Sequence, residues 1–107
     1  MLLVASTDLS HLYDYRDVVR YDNVFIQLLK GFDAQRLASS LMAGECHACG
    51  GAPVVTVMMT AQALGADRAT VLTYANSGDV TGDKQRGHYT VGYVAAAITA
   101  SVSAQSL

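Results

Sequence analysis

The clearest pattern in the chain is a helical stripe in its first third. Apolar side chains recur there every three or four residues, which is one face of an α-helix. The stripe consists of Tyr21, Val24, Phe25, Leu28, Leu29 and Phe32. Gly31 is placed to end this helix, because glycine tolerates the backbone conformations found at helix C-termini. A polar loop over residues 7–14 precedes the helix.

Two shorter helices are predicted next. Asp33 can cap a helix over residues 34–43, which Gly44 would end. Pro53 suits the first turn of a third helix, which Gly65 would end. The side chains expected to face inward are Leu37, Leu41 and Met42 on the second helix, and Val54, Val57, Met58, Ala61 and Leu64 on the third. Met59 is also predicted to lie in the core.

Three apolar segments predict strands, at residues 2–6, 69–74 and 88–98. Because their hydrophobicity is continuous rather than alternating, we expect a sheet covered on both faces. Residues 76–87 are glycine-rich and acidic but match neither an EF-hand nor a P-loop, so a tight turn is predicted there. The order β, α, α, α, β, β indicates an α/β sheet with flanking helices. Three strands make a thin sheet for that architecture, which predicts that N-terminal elements are missing.

Composition narrows the class of protein. A chain of 107 residues forms one domain, and 51% hydrophobic with 15% charged residues excludes a disordered chain. The net charge of -2 gives no basic surface for nucleic acid. The apolar runs are too short to span a membrane. Two cysteines are too few for a disulfide scaffold, and a cytoplasmic location is expected.

The first loop carries Asp8 and His11, which follow a predicted strand and precede a helix. In α/β sheets ligands bind beyond the carboxyl ends of strands, and a carboxylate beside a histidine can fix its tautomer for proton transfer. The alternative is that Asp8 caps a turn and His11 is simply exposed. Spacing alone favours that structural interpretation.

The second loop contains a C-x-x-C pair, Cys46 and Cys49, with His47 between them. Such a pair at the start of a helix is typical of thiol-redox sites. A zinc site normally needs a second pair of ligands, and no second cysteine pair exists in the chain. Two unreactive thiols remain the simplest interpretation of the spacing.

Three segments form an ordered set of motifs along the chain. Residues 5–11 read A-S-T-D-L-S-H, and residues 49–54 read C-G-G-A-P-V. Residues 72–83 read L-T-Y-A-N-S-G-D-V-T-G-D, and V-G-Y follows at 91–93. Taken together, these segments resemble the motifs S-[ST]-D-L-S-H, C-G-x-x-P-[IV] and L-x-Y-x-x-S-G-D-x-x-G-D of the Memo family, of the AmmeMemoRadiSam system protein B type, in the family's order. The resemblance extends over roughly residues 3–98.

The resemblance implies a fold and a set of site residues. Memo proteins are related in fold to the class III extradiol dioxygenases, which use non-heme Fe(II). Residues 1–107 would then be the C-terminal part of a single Memo-like domain, a partial three-layer dioxygenase-like fold without its N-terminal half. Cys49 matches the family's cysteine metal ligand. His11 matches the active-site histidine that acts as acid or base in the dioxygenases and lies beside the metal in Memo proteins, so it is a candidate metal residue together with Cys49. Asp8 matches the acidic residue next to it.

The same resemblance implies that the metal site is incomplete. The family's other ligands are two histidines of the N-terminal half, and nothing in this sequence matches them. Iron (Fe²⁺) or copper would therefore need ligands absent from the chain. Possible partners, by family association, are an AMMECR-type protein and a radical SAM enzyme.

Three functions stay open on the sequence. The first is part of a non-heme metal site with dioxygenase-like redox chemistry. The second is a non-catalytic module that binds a peptide or a partner segment. The third is a thiol-redox or zinc module built on Cys46 and Cys49.

Overall fold

The computed structural model describes residues 4–100 and contains both helices and strands. In chain order the elements are β1 (His11–Leu12), α1 (Tyr15–Lys30), α2 (Ala34–Met42), α3 (Gly51–Ala63), β2 (Arg68–Asn76), α4 (Ser77–Thr81) and β3 (Thr90–Thr99). The predicted mixture of helix and sheet is confirmed. In this part of the chain, no helix has the length and apolar character that crossing a membrane requires.

The sheet has three antiparallel strands in the order β1-β3-β2. The long pair runs from Arg68 opposite Thr99 to Asn76 opposite Gly92, with an irregularity between Val71 and Thr73. β1 is only two residues long and pairs His11 with Val91. Residues 90–91 of β3 pair with β1, and residues 92–99 pair with β2, so β3 is central near Gly92.

The core lies between the helices and one face of the sheet. Its buried members are Leu9, Phe25, Leu29, Ala34, Leu37, Cys46, Val54 and Met58. Alternate residues of the long strands, including Val71, Tyr74, Val94 and Ile98, pack against this cluster. Helix α1 follows the predicted stripe at Phe25 and Leu29, which are buried, whereas Val24 of that stripe is exposed.

The opposite face of the sheet is exposed in the described residues, so the expected cover on both faces is not found there. Thr70, Tyr93 and Ala95 point away from the core cluster and are exposed. The hydrophobicity of the strand segments is continuous because they contain many alanines and threonines, which tolerate both buried and exposed positions. The predicted third layer is thus absent between residues 4 and 100.

Three further predictions need correction. The strand at residues 2–6 lies partly outside the described residues, and residues 4–6 are irregular. The turn at 76–87 contains helix α4. The side chains of Met42, Met59 and Leu64 are exposed rather than buried. Helix α3 is apolar around most of its circumference, so periodicity could not separate its buried face from its exposed one.

An open apolar groove of about 620 Å³ runs along the core side of β3. Its walls include Val94 and Ile98 of β3, Val57 and Leu64 of α3, and the irregular segment from Val4 to Thr7. The groove explains why several apolar side chains of α3 lack a partner among the described residues. At one end it includes Thr7, which belongs to the loop carrying the candidate chemistry.

The assignment of core residues can be tested on helix α2 by comparing Leu37 with Met42. Leu37 has no exposed surface, whereas Met42 is 90% exposed. We expect Leu37→Ala to lower the free energy of unfolding by about 2–5 kcal/mol, because it leaves a cavity in the core. Met42→Ala, the matched control, should change it by less than about 0.5 kcal/mol. Urea denaturation measures both, and equal losses would contradict this assignment of the core.

Candidate functional site

Two loops that are about forty residues apart in sequence are joined by backbone and side-chain contacts. The Asp8 N–H donates to Cys49 Sγ at 3.3 Å, and the Cys49 N–H donates to the Asp8 carbonyl oxygen at 3.0 Å. The Thr7 hydroxyl accepts from the Gly50 N–H at 2.7 Å and lies 3.7 Å from Cys49 Sγ. The thiol of Cys49 is therefore held against the loop that carries Asp8 and His11.

Glycine is required where these loops meet. A Cβ atom on Gly50 would lie 2.5 Å from the carbonyl oxygen of Ser6, closer than any ordinary contact. A Cβ on Gly51 would lie 2.9 Å from a methyl group of Leu41. The two glycines after Cys49 thus let helix α3 begin directly against the first loop and α2.

His11 and Asp8 form an ion-pair contact beside Cys49. His11 Nε2 lies 3.6 Å from Asp8 Oδ2, and the two side chains are 36% and 47% exposed. The imidazole also makes an edge contact with Tyr89, with 6.1 Å between ring centroids. Both side chains are accessible to a ligand, and this exposure fits the proton-transfer interpretation as well as the alternative in which His11 is simply exposed.

One shallow pocket of about 280 Å³ contains the candidate residues His11 and Cys49. Its walls are formed by Leu9, His11, Leu12, His47, Ala48 and Cys49. His47 was noted in the sequence only as the residue inside the C-x-x-C pair. Its ring packs against Tyr21 at 4.7 Å, so helix α1 supports that side of the pocket. The structure brings His11 and Cys49 to one pocket, as their shared site required.

The donors in this pocket do not make a complete metal site. Between residues 4 and 100, no three His, Cys, Asp or Glu side chains are grouped so that they could hold a metal ion. Cys49 and His11 are two donors of the types that bind iron, copper and zinc. A metal site that used both would need further ligands from outside the described residues.

The two cysteines lie in different environments. Cys46 is buried in the core, whereas Cys49 is exposed, and both are free. Burial raises the pKa of the Cys46 thiol, and the nearby Glu45 carboxylate raises it further. A buried thiol that resists ionisation is a poor nucleophile and a poor ligand. The structure therefore gives no support to a thiol-redox or zinc module built on this pair.

The acidic third loop is organised by its own contacts. Asp79 accepts from the Tyr15 hydroxyl at 2.6 Å and pairs with Lys84 at 3.6 Å. Asp83 contacts His88 Nδ1 at 2.8 Å, and that hydrogen bond lowers the pKa of the Asp83 carboxyl group. These contacts fix the connection between β2 and β3, which agrees with its interpretation as a structural turn.

Sequence reasoning missed Asp22, a fully buried carboxylate beneath the pocket. It accepts from the Ser10 N–H at 2.9 Å and from the Tyr74 hydroxyl at 2.6 Å. A signal existed in the sequence, because Asp22 occupies the inward helical spacing between Val18 and Phe25. A charged residue at such a position indicates a buried polar contact.

The family model and the relatives that match this chain carry a Memo family description. A family model described as Memo-like protein matches residues 1–97. A MEMO1 family protein of Methanosarcina mazei is 34% identical over 94 residues, which is 88% of this chain and 34% of the relative. A MEMO1 family protein of Thermotoga sp. strain RQ2 is 35% identical over 96 residues, 90% of this chain and 32% of the relative.

A third relative, a MEMO1 family protein of Methanocaldococcus jannaschii, is 30% identical over 98 residues. That match covers 92% of this chain and 33% of the relative. The chain thus spans about a third of the length of the curated relatives it matches.

Thiol alkylation tests the different environments of the cysteines. In the native protein, iodoacetamide should modify Cys49 at least about tenfold faster than Cys46, because the buried thiol reacts only after local opening. In urea the two rates should converge. Mass spectrometry of peptides separates the two sites. Equal native rates would contradict the burial of Cys46.

Proposed function

This chain belongs to the Memo-like protein family, and from that membership and its pocket we propose that it supplies part of a non-heme metal site with dioxygenase-like redox chemistry. Iron or copper is the proposed metal. The observation that supports the proposal is the shared pocket of Cys49 and His11, with Asp8 in contact with both residues.

Cys49 is the proposed metal ligand of this chain. Its sulfur is exposed, and the Asp8 N–H and Thr7 hydroxyl lie on one side of it. Thiolate sulfur is a soft donor that suits copper and also binds iron. When bound, the metal would supply redox chemistry that none of the protein side chains provides.

The pair of His11 and Asp8 is the proposed acid–base group. Histidine gains or loses a proton near neutral pH, so it can exchange a proton with a ligand in the pocket. Asp8 Oδ2 lies 3.6 Å from His11 Nε2, outside hydrogen-bond distance, so its influence on the ring is electrostatic and Nδ1 remains the other polar atom of the imidazole. His11 is exposed enough to reach a bound molecule.

We further propose that the missing ligands come from polypeptide that packs in the apolar groove along β3. The relatives are about three times as long as the matched region, so most of their sequence has no counterpart here. The groove is apolar and extends to Thr7, whose hydroxyl contacts Cys49. Polypeptide that fills the groove would therefore approach the pocket from the core side of the sheet.

Metal affinity tests the assignment of Cys49. Because two donors hold a metal weakly, the purified chain is titrated anaerobically with Fe(II), and separately with Cu(I), up to about millimolar metal and without a competing chelator. Because Cys49 is a proposed direct ligand, Cys49→Ala should weaken binding by at least about tenfold, since changes in outer-shell groups alone cost about 10–100-fold. Cys46→Ala is the matched control and should leave the affinity within about threefold of the original.

Two outcomes would contradict the proposal. Unchanged metal affinity in Cys49→Ala would exclude Cys49 as the metal ligand and would favour a non-catalytic binding module. A selective loss of affinity in Cys46→Ala would instead favour the thiol-redox or zinc interpretation.

A further inference from the structure

We propose that Asp22 is a positioning residue, a buried carboxylate that fixes the loop of Asp8 and His11 against Cys49. The carboxylate touches neither pocket side chain directly. It acts through the backbone of Ser10, which lies between Asp8 and His11 in sequence. The importance of that loop for metal chemistry rests on the proposed function. The geometry of the loop is independent of that function.

The carboxylate of Asp22 is fully buried and depends on two neutral donors. Oδ1 accepts from the Ser10 N–H at 2.9 Å, and Oδ2 accepts from the Tyr74 hydroxyl at 2.6 Å. No lysine, arginine or histidine among residues 4–100 forms a salt bridge with it. A buried carboxylate is costly without such donors, so each of them is held firmly in place.

Strand β3 holds the same loop from its other side. The Leu9 N–H donates to the Gly92 carbonyl oxygen at 2.8 Å, and the Gly92 N–H donates to the Ser10 carbonyl oxygen at 3.0 Å. Ser10 therefore has its carbonyl bound to β3 and its N–H bound to α1 through Asp22. Together these bonds fix the backbone immediately before His11.

Gly92 is required by the closeness of Asp22. A Cβ atom at position 92 would overlap Asp22 Oδ2, and the carboxyl carbon would lie only 2.7 Å away. The φ angle of Gly92 is not in the left-handed region, so the constraint is contact and not backbone conformation. The glycine of the V-G-Y segment thereby makes room for the carboxylate.

Tyr74 connects this arrangement to the rest of the sheet. Burial and the hydrogen bond to Asp22 both raise the pKa of the Tyr74 hydroxyl, so it stays protonated and remains a donor. The Asn76 side chain donates to the Tyr74 oxygen at 3.4 Å and caps helix α4 by accepting from the Asp79 N–H. One carboxylate thus joins α1, the pocket loop and β2.

An apolar side chain at position 22 would remove the desolvation cost of the carboxylate, but it would leave the Ser10 N–H and the Tyr74 hydroxyl without their acceptor. What the carboxylate adds is therefore a fixed loop geometry beneath His11.

Native-state amide hydrogen exchange, followed by NMR, tests the role of Asp22. Asp22→Asn keeps the shape of the side chain but replaces a charged acceptor with a weaker neutral one. We expect the amides of Leu9, Ser10 and Cys49 to exchange at least about tenfold faster, which corresponds to about 1.4 kcal/mol. The Ala43 amide, at the end of α2, should change less than about threefold. General destabilisation would accelerate all four amides together.

Asp33→Asn is the matched control, because Asp33 is also a carboxylate that accepts a backbone N–H, from Arg36. That variant should leave the loop amides unchanged. Tyr74→Phe is the second variant if Asp22→Asn does not fold. It removes one of the two donors, and exchange at Ser10 should again rise selectively. Unchanged exchange at Ser10 in the variant that folds, or an equal rise at Ala43, would overturn the proposal.

A double-mutant cycle tests the contact with Gly92 independently. Gly92→Ala should destabilise the native protein strongly, because its Cβ has no room beside the carboxylate. Asp22→Ala removes that carboxylate, so adding Gly92→Ala to Asp22→Ala should cost at least about tenfold less in the unfolding equilibrium constant than Gly92→Ala alone. Additive effects in urea denaturation would contradict the close contact.

The role of Asp22 can be separated from the fate of the metal site. If Asp22→Asn raises the exchange rate selectively at Ser10 and Cys49→Ala leaves the Fe(II) and Cu(I) affinities unchanged, Asp22 is a positioning residue and Cys49 is not a metal ligand. If Asp22→Asn raises exchange equally at all four amides and Cys49→Ala loses affinity, Cys49 is a metal ligand and Asp22 is not a positioning residue.

Discussion

The two-way contact between Asp8 and Cys49 is the interaction on which the candidate site depends. Each residue donates its backbone N–H to the other, to the sulfur of Cys49 in one direction and to the carbonyl oxygen of Asp8 in the other. This exchange brings the start of α3 against the loop before β1. Without it, the thiol and the imidazole of His11 would belong to separate surfaces. The glycine at position 50 permits that approach, and its replacement would separate the loops.

Local patterns predicted the helices and the two long strands, but they did not predict how the strands pair. The stripe through Phe25 and Leu29 and the capping aspartate at position 33 are both found in the structure. Strand β1, the antiparallel order and the exposed sheet face depend on pairing between distant residues, which periodicity does not encode. Helix α3 shows the same limit, because Met58 and its neighbour Met59 are chemically identical and only one is buried.

The candidate site was predictable only in part. Spacing alone left Asp8 and His11 as plain loop residues, and it was the ordered motifs that linked them with Cys49. The motifs already distinguished Cys49 from Cys46, and tertiary structure added that Cys46 enters the core whereas Cys49 is exposed. Asp22 was missed because a single charge on an apolar helix face was not weighed as a buried contact. Family membership is shown, and the metal and its chemistry remain proposals that rest on the pocket.

The proposed site requires that the thiol of Cys49 and the ring of His11 face one pocket. Attaching a nitroxide spin label to Cys49, in a chain carrying Cys46→Ser, tests this most directly through paramagnetic broadening of NMR signals. We expect the ring protons of His11 to lose their signal, whereas the amide of Ala63, about 20 Å away at the far end of α3, should keep most of its intensity. A sharp His11 signal in the labelled protein would contradict the shared pocket.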